Sequence, residues 1–218
     1  VPTRAVLFDF AGTLAMPEER DAWLRACGVA DGDGLGERLE AVGRPGPTPA
    51  VVPEALAAAY AARDHEPAMH RAAYTGLFAT LVDDATATAL YERTLVAAGW
   101  RAYADAVPVL RTLRERGVAT ALVSNVGFDL RPVLDGLGLR SLLDAVVLSY
   151  EVGAIKPEPA IFTAALDALG GVAPGDALMV GDHAADGGAV ALGIRSLLLP
   201  YSPPGGTHGL DAVLDLVA

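Results

Sequence analysis

Val6-Leu7-Phe8-Asp9-Phe10-Ala11-Gly12-Thr13-Leu14 carries one carboxylate out of an apolar run and straight into a glycine turn. Ala5 to Phe8 show no polar alternation, so the pattern predicts a strand buried on both faces, the kind found in parallel sheets covered by helices. Ligands of such sheets sit just beyond the carboxyl ends of the strands, which sets Asp9 at the mouth of a site as a candidate nucleophile.

The rest of the chain extends that sheet. From Ala104 onward, helical and short apolar strand patterns alternate. Val107, Leu110 and Leu113 make a helix that Gly117 can end, and Val118 to Val123 follow as a strand. Leu130, Val133, Leu134 and Leu137 mark the next helix, Ala145 to Leu148 a strand, and Ile161, Phe162, Ala165, Leu166 and Leu169 another helix. Ala177 to Val180 and Ile194 to Leu199 read as two more strands, and Leu210, Val213, Leu214 and Val217 as a closing helix. Strands separated by helices imply right-handed crossovers and a doubly wound, Rossmann-like parallel sheet, an α/β fold.

Between Met16 and Arg101 the pattern reads as helices with no strand, which predicts an inserted all-α subdomain (16–101) on a core formed by 1–15 and 102–218. Tyr74, Leu77, Phe78 and Leu81 make one apolar stripe; Ala87, Leu90, Tyr91, Thr94, Leu95 and Ala98 make another. Trp23 is expected in the core of the insert and Trp100 as a packing residue where the chain returns. Gly43-Arg44-Pro45-Gly46-Pro47-Thr48-Pro49 is too rich in proline for regular structure and reads as a loop, as does the Pro- and Gly-rich segment Tyr201 to Gly209.

With 218 residues, 52% of them hydrophobic, the chain can bury a large core with a smaller accessory unit. A formal charge of −11 repels nucleic acid and anionic lipid, so neither is an expected partner. No apolar run nears the ~20 residues that span a bilayer, the N-terminus has no signal-peptide pattern, and Cys27 stands alone as a small packing residue, so a cytoplasmic location is expected. Of the 16 basic residues, Lys156 is the only lysine.

Each remaining polar position of interest follows a predicted strand. Asp9 follows the first, Ser124-Asn125 follow Val118 to Val123, Lys156 lies in Gly153-Ala154-Ile155-Lys156-Pro157, and Asp182 follows Met179-Val180-Gly181, with Asp186 four residues on. Singly, each could merely end a strand or cap a helix. Together, carboxylates, hydroxyls and one ammonium fit a phosphoryl group. Asp9 and Asp182 offer hard oxygen ligands for Mg²⁺, the Ala11 carbonyl can add one, and Asp186 holds the metal's shell from the side. Lys156, Thr13 and Ser124 would grip the phosphoryl oxygens, with Gly12 and Asn125 against the substrate.

These motifs resemble the haloacid dehalogenase-like hydrolase superfamily, in the branch with a helical cap inserted after the first motif. Asp9-Phe10-Ala11-Gly12-Thr13 is similar to its first motif, Ser124-Asn125 to the second, Lys156-Pro157 to the third, and Gly181-Asp182 through Asp186 to the fourth. The resemblance implies that Asp9 forms an aspartyl-phosphate which water then hydrolyses, under a cap that selects a small phosphorylated metabolite.

One position departs from the pattern. The family's phosphatases carry a second Asp, the general acid and base, where this chain has Ala11, and a methyl group can do neither task. Three readings follow. In the first, a Mg²⁺-dependent phosphatase uses a leaving group that needs little protonation, or another acid such as His183, Asp129, Glu18, Glu19, His65 or His70. In the second, the enzyme is an atypical hydrolase. Phosphonate hydrolases of the superfamily carry Ala here but need a cap lysine that this insert lacks, and Asp182 and Asp186 argue against dehalogenation. In the third, the protein binds phosphate and hardly turns over.

Overall fold

The computed structural model describes residues 3–43 and 52–217. The chain runs through β1 (Ala5–Phe8), β2 (Ala15–Pro17), α1 (Arg20–Ala26), α2 (Leu35–Gly43), α3 (Ala57–Ala62), α4 (Pro67–Ala79), α5 (Asp84–Thr94) and β3 (Trp100–Ala102). It continues through α6 (Ala106–Glu115), β4 (Ala119–Ser124), α7 (Arg131–Gly136), β5 (Ala145–Leu148), α8 (Ser149–Val152), α9 (Pro159–Ala168), β6 (Ala177–Gly181), β7 (Arg195–Leu198) and α10 (Ala212–Leu216).

Five strands form one parallel sheet in the order β5-β4-β1-β6-β7. β1 is central, and all four of its side chains are fully buried, because alternate residues enter different cores. Val6 and Phe8 pack with Leu122, Leu178, Val180 and the apolar stripes of α6, α7 and α10. Ala5 and Leu7 pack on the other face with Ala121, Val123, Met179 and the Ile161–Phe162 side of α9. Two-sided burial accounts for the unbroken apolar runs in the sequence. Leaving β1, the chain builds the β4 side first and the β6 side later, so the reversal of strand order lies at the strand that carries Asp9.

Helices α1, α2, α4 and α5 supply a third cluster built on Trp23, Leu24, Leu39, Phe78, Leu90 and Tyr91, with the Trp23 and Phe78 rings 5.6 Å apart. Trp100 is buried against Phe10, ring to ring at 4.7 Å, as expected of a packing residue at the return. Cys27 is only half-buried, just past α1.

The expectation of a segment without strands is corrected. β2 and β3 pair antiparallel, Ala15 with Ala102 and Pro17 with Trp100, in a ribbon that straddles both expected boundaries of the insert. Glu18, directly after β2, is buried and held by Arg93 at 2.6 Å and by Arg101 at 3.4 Å. Strands three residues long, paired with each other across 85 positions, leave no periodicity in the sequence. Most of the proline-rich stretch predicted as a loop, 44–49, lies outside the described residues; Gly43 ends α2. Among the described residues no helix is long and apolar enough to cross a membrane.

Candidate active site

β4, β1 and β6 lie side by side, so their carboxyl ends deliver Ser124, Asp9 and Asp182 to one edge. Lys156 arrives from the segment after α8. Its Nζ lies 2.5 Å from Asp9 Oδ1 and 2.7 Å from Asp186 Oδ1, with all three side chains buried. Two of the ammonium's three donors are thereby used, which leaves one for a substrate oxygen. The second oxygen of Asp186 accepts from the His183 backbone N–H at 3.0 Å, so this carboxylate fixes both the lysine and the turn after β6.

Asp9, Asp182 and Asp186 each offer a carboxylate oxygen within 4.8 Å of the others. One ammonium faces three carboxylates there, and the electrostatics register the imbalance. Burial above all, and then Asp186, outweigh Lys156 and push Asp9 up to about 7. Burial and Asp186 also raise Asp182. For Lys156, burial pulls the ammonium down, but Asp9 and Asp186 together pull harder and its pKa rises, so it stays charged. A divalent cation among the carboxylates would supply the missing positive charge.

Glycines let these groups approach. Gly12, at φ +91°, lies so close to Asp182 that a Cβ would overlap its carboxylate, and a Cβ on Gly181 would meet Asp186.

All the predicted site positions converge on this edge, but two side chains do something other than expected. Thr13, expected to grip phosphoryl oxygen, is fully buried with its hydroxyl turned to Asp182 Oδ1 at a long 3.5 Å. Asn125 was placed against the substrate. Its amide instead brackets the backbone of Lys156, Nδ2 donating to the carbonyl at 2.9 Å and Oδ1 accepting from the N–H at 2.7 Å. Ser124 is buried and lines the cavity, which Ala11 lines as well.

The cavity above this edge holds about 1050 Å³, at the upper end for small-molecule sites. The lining continues with Tyr60 of α3, His70 and Tyr74 of α4 and Tyr91 of α5, and with Arg63 and Asp64 from the turn between α3 and α4. Of these, His70 is a candidate acid from the sequence, while Tyr74 and Tyr91, expected in apolar stripes, also line the cavity. Burial, then Arg63, holds the His70 imidazole down at about 3, so it is neutral, with Nδ1 2.9 Å from the Tyr91 hydroxyl. Arg63 stacks over Tyr60 at 4.0 Å and pairs with Asp64 at 3.3 Å. No motif marks Arg63-Asp64 in the sequence, since charged residues at the end of a helix are ordinary. Of the other candidate acids, Glu18 is tied to arginines, Asp129 is exposed and paired with Arg131 at 2.9 Å, and His183 is exposed at the rim.

A parallel sheet that gathers a buried aspartate, an ion-paired lysine and two more carboxylates at one edge defines a doubly wound α/β enzyme with a carboxylate–lysine centre. The chain belongs to the haloacid dehalogenase-like hydrolase family, whose model matches residues 3–192. It is similar to haloacid dehalogenase-like hydrolase domain-containing protein 3 of Mus musculus, 39% identical over 117 residues, covering 53% of this chain and 46% of that protein. A phosphoserine phosphatase of Thermus thermophilus is 46% identical over 82 residues, covering 37% of this chain and 32% of that protein. The chain therefore spans about half, or less, of the length of these curated relatives. Among solved structures, a phosphatase of this family from Thermococcus onnurineus matches with a TM-score of 0.63 and 25% identity, over 99% of this chain and 98% of that one.

Proposed function

We propose that the protein is a Mg²⁺-dependent phosphatase of a small phosphorylated metabolite, with Asp9 as the nucleophile. The observation that carries this reading is the Asp9–Lys156–Asp186 relay with Asp182 beside it: a buried carboxylate nucleophile held by a cation, next to an unbalanced acidic group. The phosphoserine phosphatase similarity supports the same chemistry.

In this reading Asp9 attacks phosphorus and the ester oxygen leaves, giving an aspartyl-phosphate that water hydrolyses. Lys156 and Ser124 bind phosphoryl oxygens, where charge accumulates. Thr13, from its buried position, orients Asp182, and Asn125 orients Lys156. Asp9, Asp182, Asp186 and the Ala11 carbonyl would hold Mg²⁺, which when bound neutralises phosphoryl charge. Residues 16–101 act as a cap over the core of 1–15 and 102–218, excluding bulk water and large polymers. The net charge of −11 disfavours nucleic acid and anionic membranes as partners.

The test is phosphate release from a panel of phosphoesters, acyl phosphates and phosphonates, with Mg²⁺ and with chelator. Release that depends on Mg²⁺ and falls at least about 10³-fold in Asp9→Asn is expected. Turnover indifferent to Asp9 would remove the reading.

A further inference from the structure

We propose that Asp64, on the helical wall of the cavity, is the acid that protonates the leaving oxygen in place of the one missing at Ala11. The proposal rests on the phosphatase reading above and adds a catalytic residue to it.

In-line displacement by Asp9 puts the leaving oxygen on the side of phosphorus away from the sheet edge, facing the helices. A proton donor is therefore wanted on that opposite wall. Among the ionisable residues there, His70 is a neutral imidazole rather than an acidic imidazolium near neutral pH, and Tyr74 is raised to about 12 by its burial. Glu18 has both oxygens on arginines. His183 belongs to the sheet edge, on the nucleophile's own side, and its Nδ1 accepts from the Ala185 N–H. Asp64 remains. Its side chain keeps 17% exposure while lining the same cavity as Asp9 and Lys156.

The core builds a seat for this residue. Ser149, fully buried as the first residue of α8 directly after β5, donates its hydroxyl to the Asp64 carbonyl at 2.5 Å and accepts from the Val126 N–H at 2.9 Å. Val126 is two residues beyond Ser124, so the helical wall is pinned to the strand end that lines the phosphate site. Gly127 lies so close to the Arg63 carbonyl that a Cβ would clash with it. The charged groups acting on the Asp64 carboxyl are Arg63, 3.3 Å away, His65 and Lys156, all favouring ionisation, and burial outweighs them to raise its pKa.

The step balances simply. Asp9 oxygen bonds to phosphorus, the phosphorus–ester oxygen bond breaks with its electron pair on the leaving oxygen, and that oxygen takes the Asp64 proton. Asp64 recovers a proton from the water that then attacks the aspartyl-phosphate.

The experiment compares kcat/KM for a simple alkyl phosphate and for aryl phosphates of increasing leaving-group acidity, up to dinitrophenyl phosphate, in the full chain with Mg²⁺. Asp64→Asn is expected to lose about 10²–10⁴-fold on the alkyl ester and at least tenfold less on the dinitrophenyl ester. Ser149→Ala, which unpins Asp64 without touching its carboxyl, should lose activity in the same leaving-group-dependent way, and so guards against an Asn variant that fails to fold. With Ala11→Asp as background, the Asp64→Asn loss should shrink, because two acids then serve one oxygen. Equal losses across all leaving groups, or a steepened dependence in His183→Gln instead, would overturn the role of Asp64 alone. A wild-type protein that releases phosphate from no compound removes the phosphatase reading and this role with it.

Discussion

Asn125 holds Lys156 by both backbone polar groups, accepting from its N–H at 2.7 Å and donating to its carbonyl at 2.9 Å. The bracket ties the loop that carries the only lysine to the end of β4, and so sets where the ammonium meets Asp9. Asn125→Ala leaves the lysine in place but frees its backbone. Small misplacements of a reacting group cost up to about 10²-fold, so kcat should fall 10- to 100-fold with only about 1–2 kcal/mol lost in stability. Asn125→Asp, which sets an acceptor against the Lys156 carbonyl, should fall further. Steady-state kinetics beside urea denaturation separate the two effects; a kcat equal to wild type in both variants would deny the bracket any part in catalysis.

Gly12 is the turn residue that cannot carry a side chain, for two reasons. Its φ of +91° is unfavourable for any L-residue, and a Cβ would occupy the space of the Asp182 carboxylate. Gly12→Ala should therefore lose about 1–2 kcal/mol of stability from the backbone and displace Asp182 as well. Calorimetric titration with Mg²⁺ is expected to give at least tenfold weaker binding than wild type. Unchanged affinity would place Asp182 outside the metal's ligands.

The sheet could be read almost residue by residue, and the reason is physical. β1 and β5 lie where the apolar runs put them, Ala5–Phe8 and Ala145–Leu148; β1 is buried on both faces, and the partly buried edge strand β5 still carries no polar residue to blur its ends. Strand ends in turn placed Asp9, Ser124, Lys156 and Asp182. Partners set by packing between distant segments left no such trace. Nothing in Thr13 announces that its buried hydroxyl turns to Asp182, and nothing in Asp64 announces the Ser149 seat across 85 positions. The β2–β3 ribbon was hidden for the same reason, being local in neither sequence nor period.

Ala11 offers the most direct gain of function. Its methyl lines the cavity beside Asp9, and restoring a carboxyl there supplies an acid next to the nucleophile. General acid–base assistance is worth about 10²–10⁴ in rate, so in the Asp64→Asn background, where that acid is gone, Ala11→Asp should raise alkyl phosphate hydrolysis by a large part of that range and activated aryl phosphates far less. Phosphate release assays on both substrate types check it. No gain on alkyl esters in that background would mean that protonation of the leaving group does not limit turnover.

His70 ties the helical wall to acid stability. It is buried among Tyr74, Tyr91 and Phe128, with ring centroids 4.7, 5.6 and 5.2 Å away, and burial holds it at about 3 against an ordinary 6.5. Above pH 6.5 the imidazole is neutral in both folded and unfolded chains and adds no pH dependence. As pH falls from 6.5 towards 3, the unfolded chain binds a proton that the folded one refuses, so stability declines by up to about 1.4 kcal/mol per pH unit. Asp9 acts in the opposite sense. Raised from 3.8 to about 7, it takes up its proton in the folded state first, so between those values acidification favours folding and partly masks the histidine in wild-type protein. The difference between wild type and His70→Phe cancels the Asp9 contribution. Near pH 7.5 the variant should be the less stable, having left the Tyr91 hydroxyl without its partner at 2.9 Å. At pH 5 that gap should close by about 2 kcal/mol, because the phenyl ring has no proton to refuse. Urea denaturation at the two pH values measures both gaps; parallel pH profiles would mean that His70 titrates alike in the folded and unfolded chains.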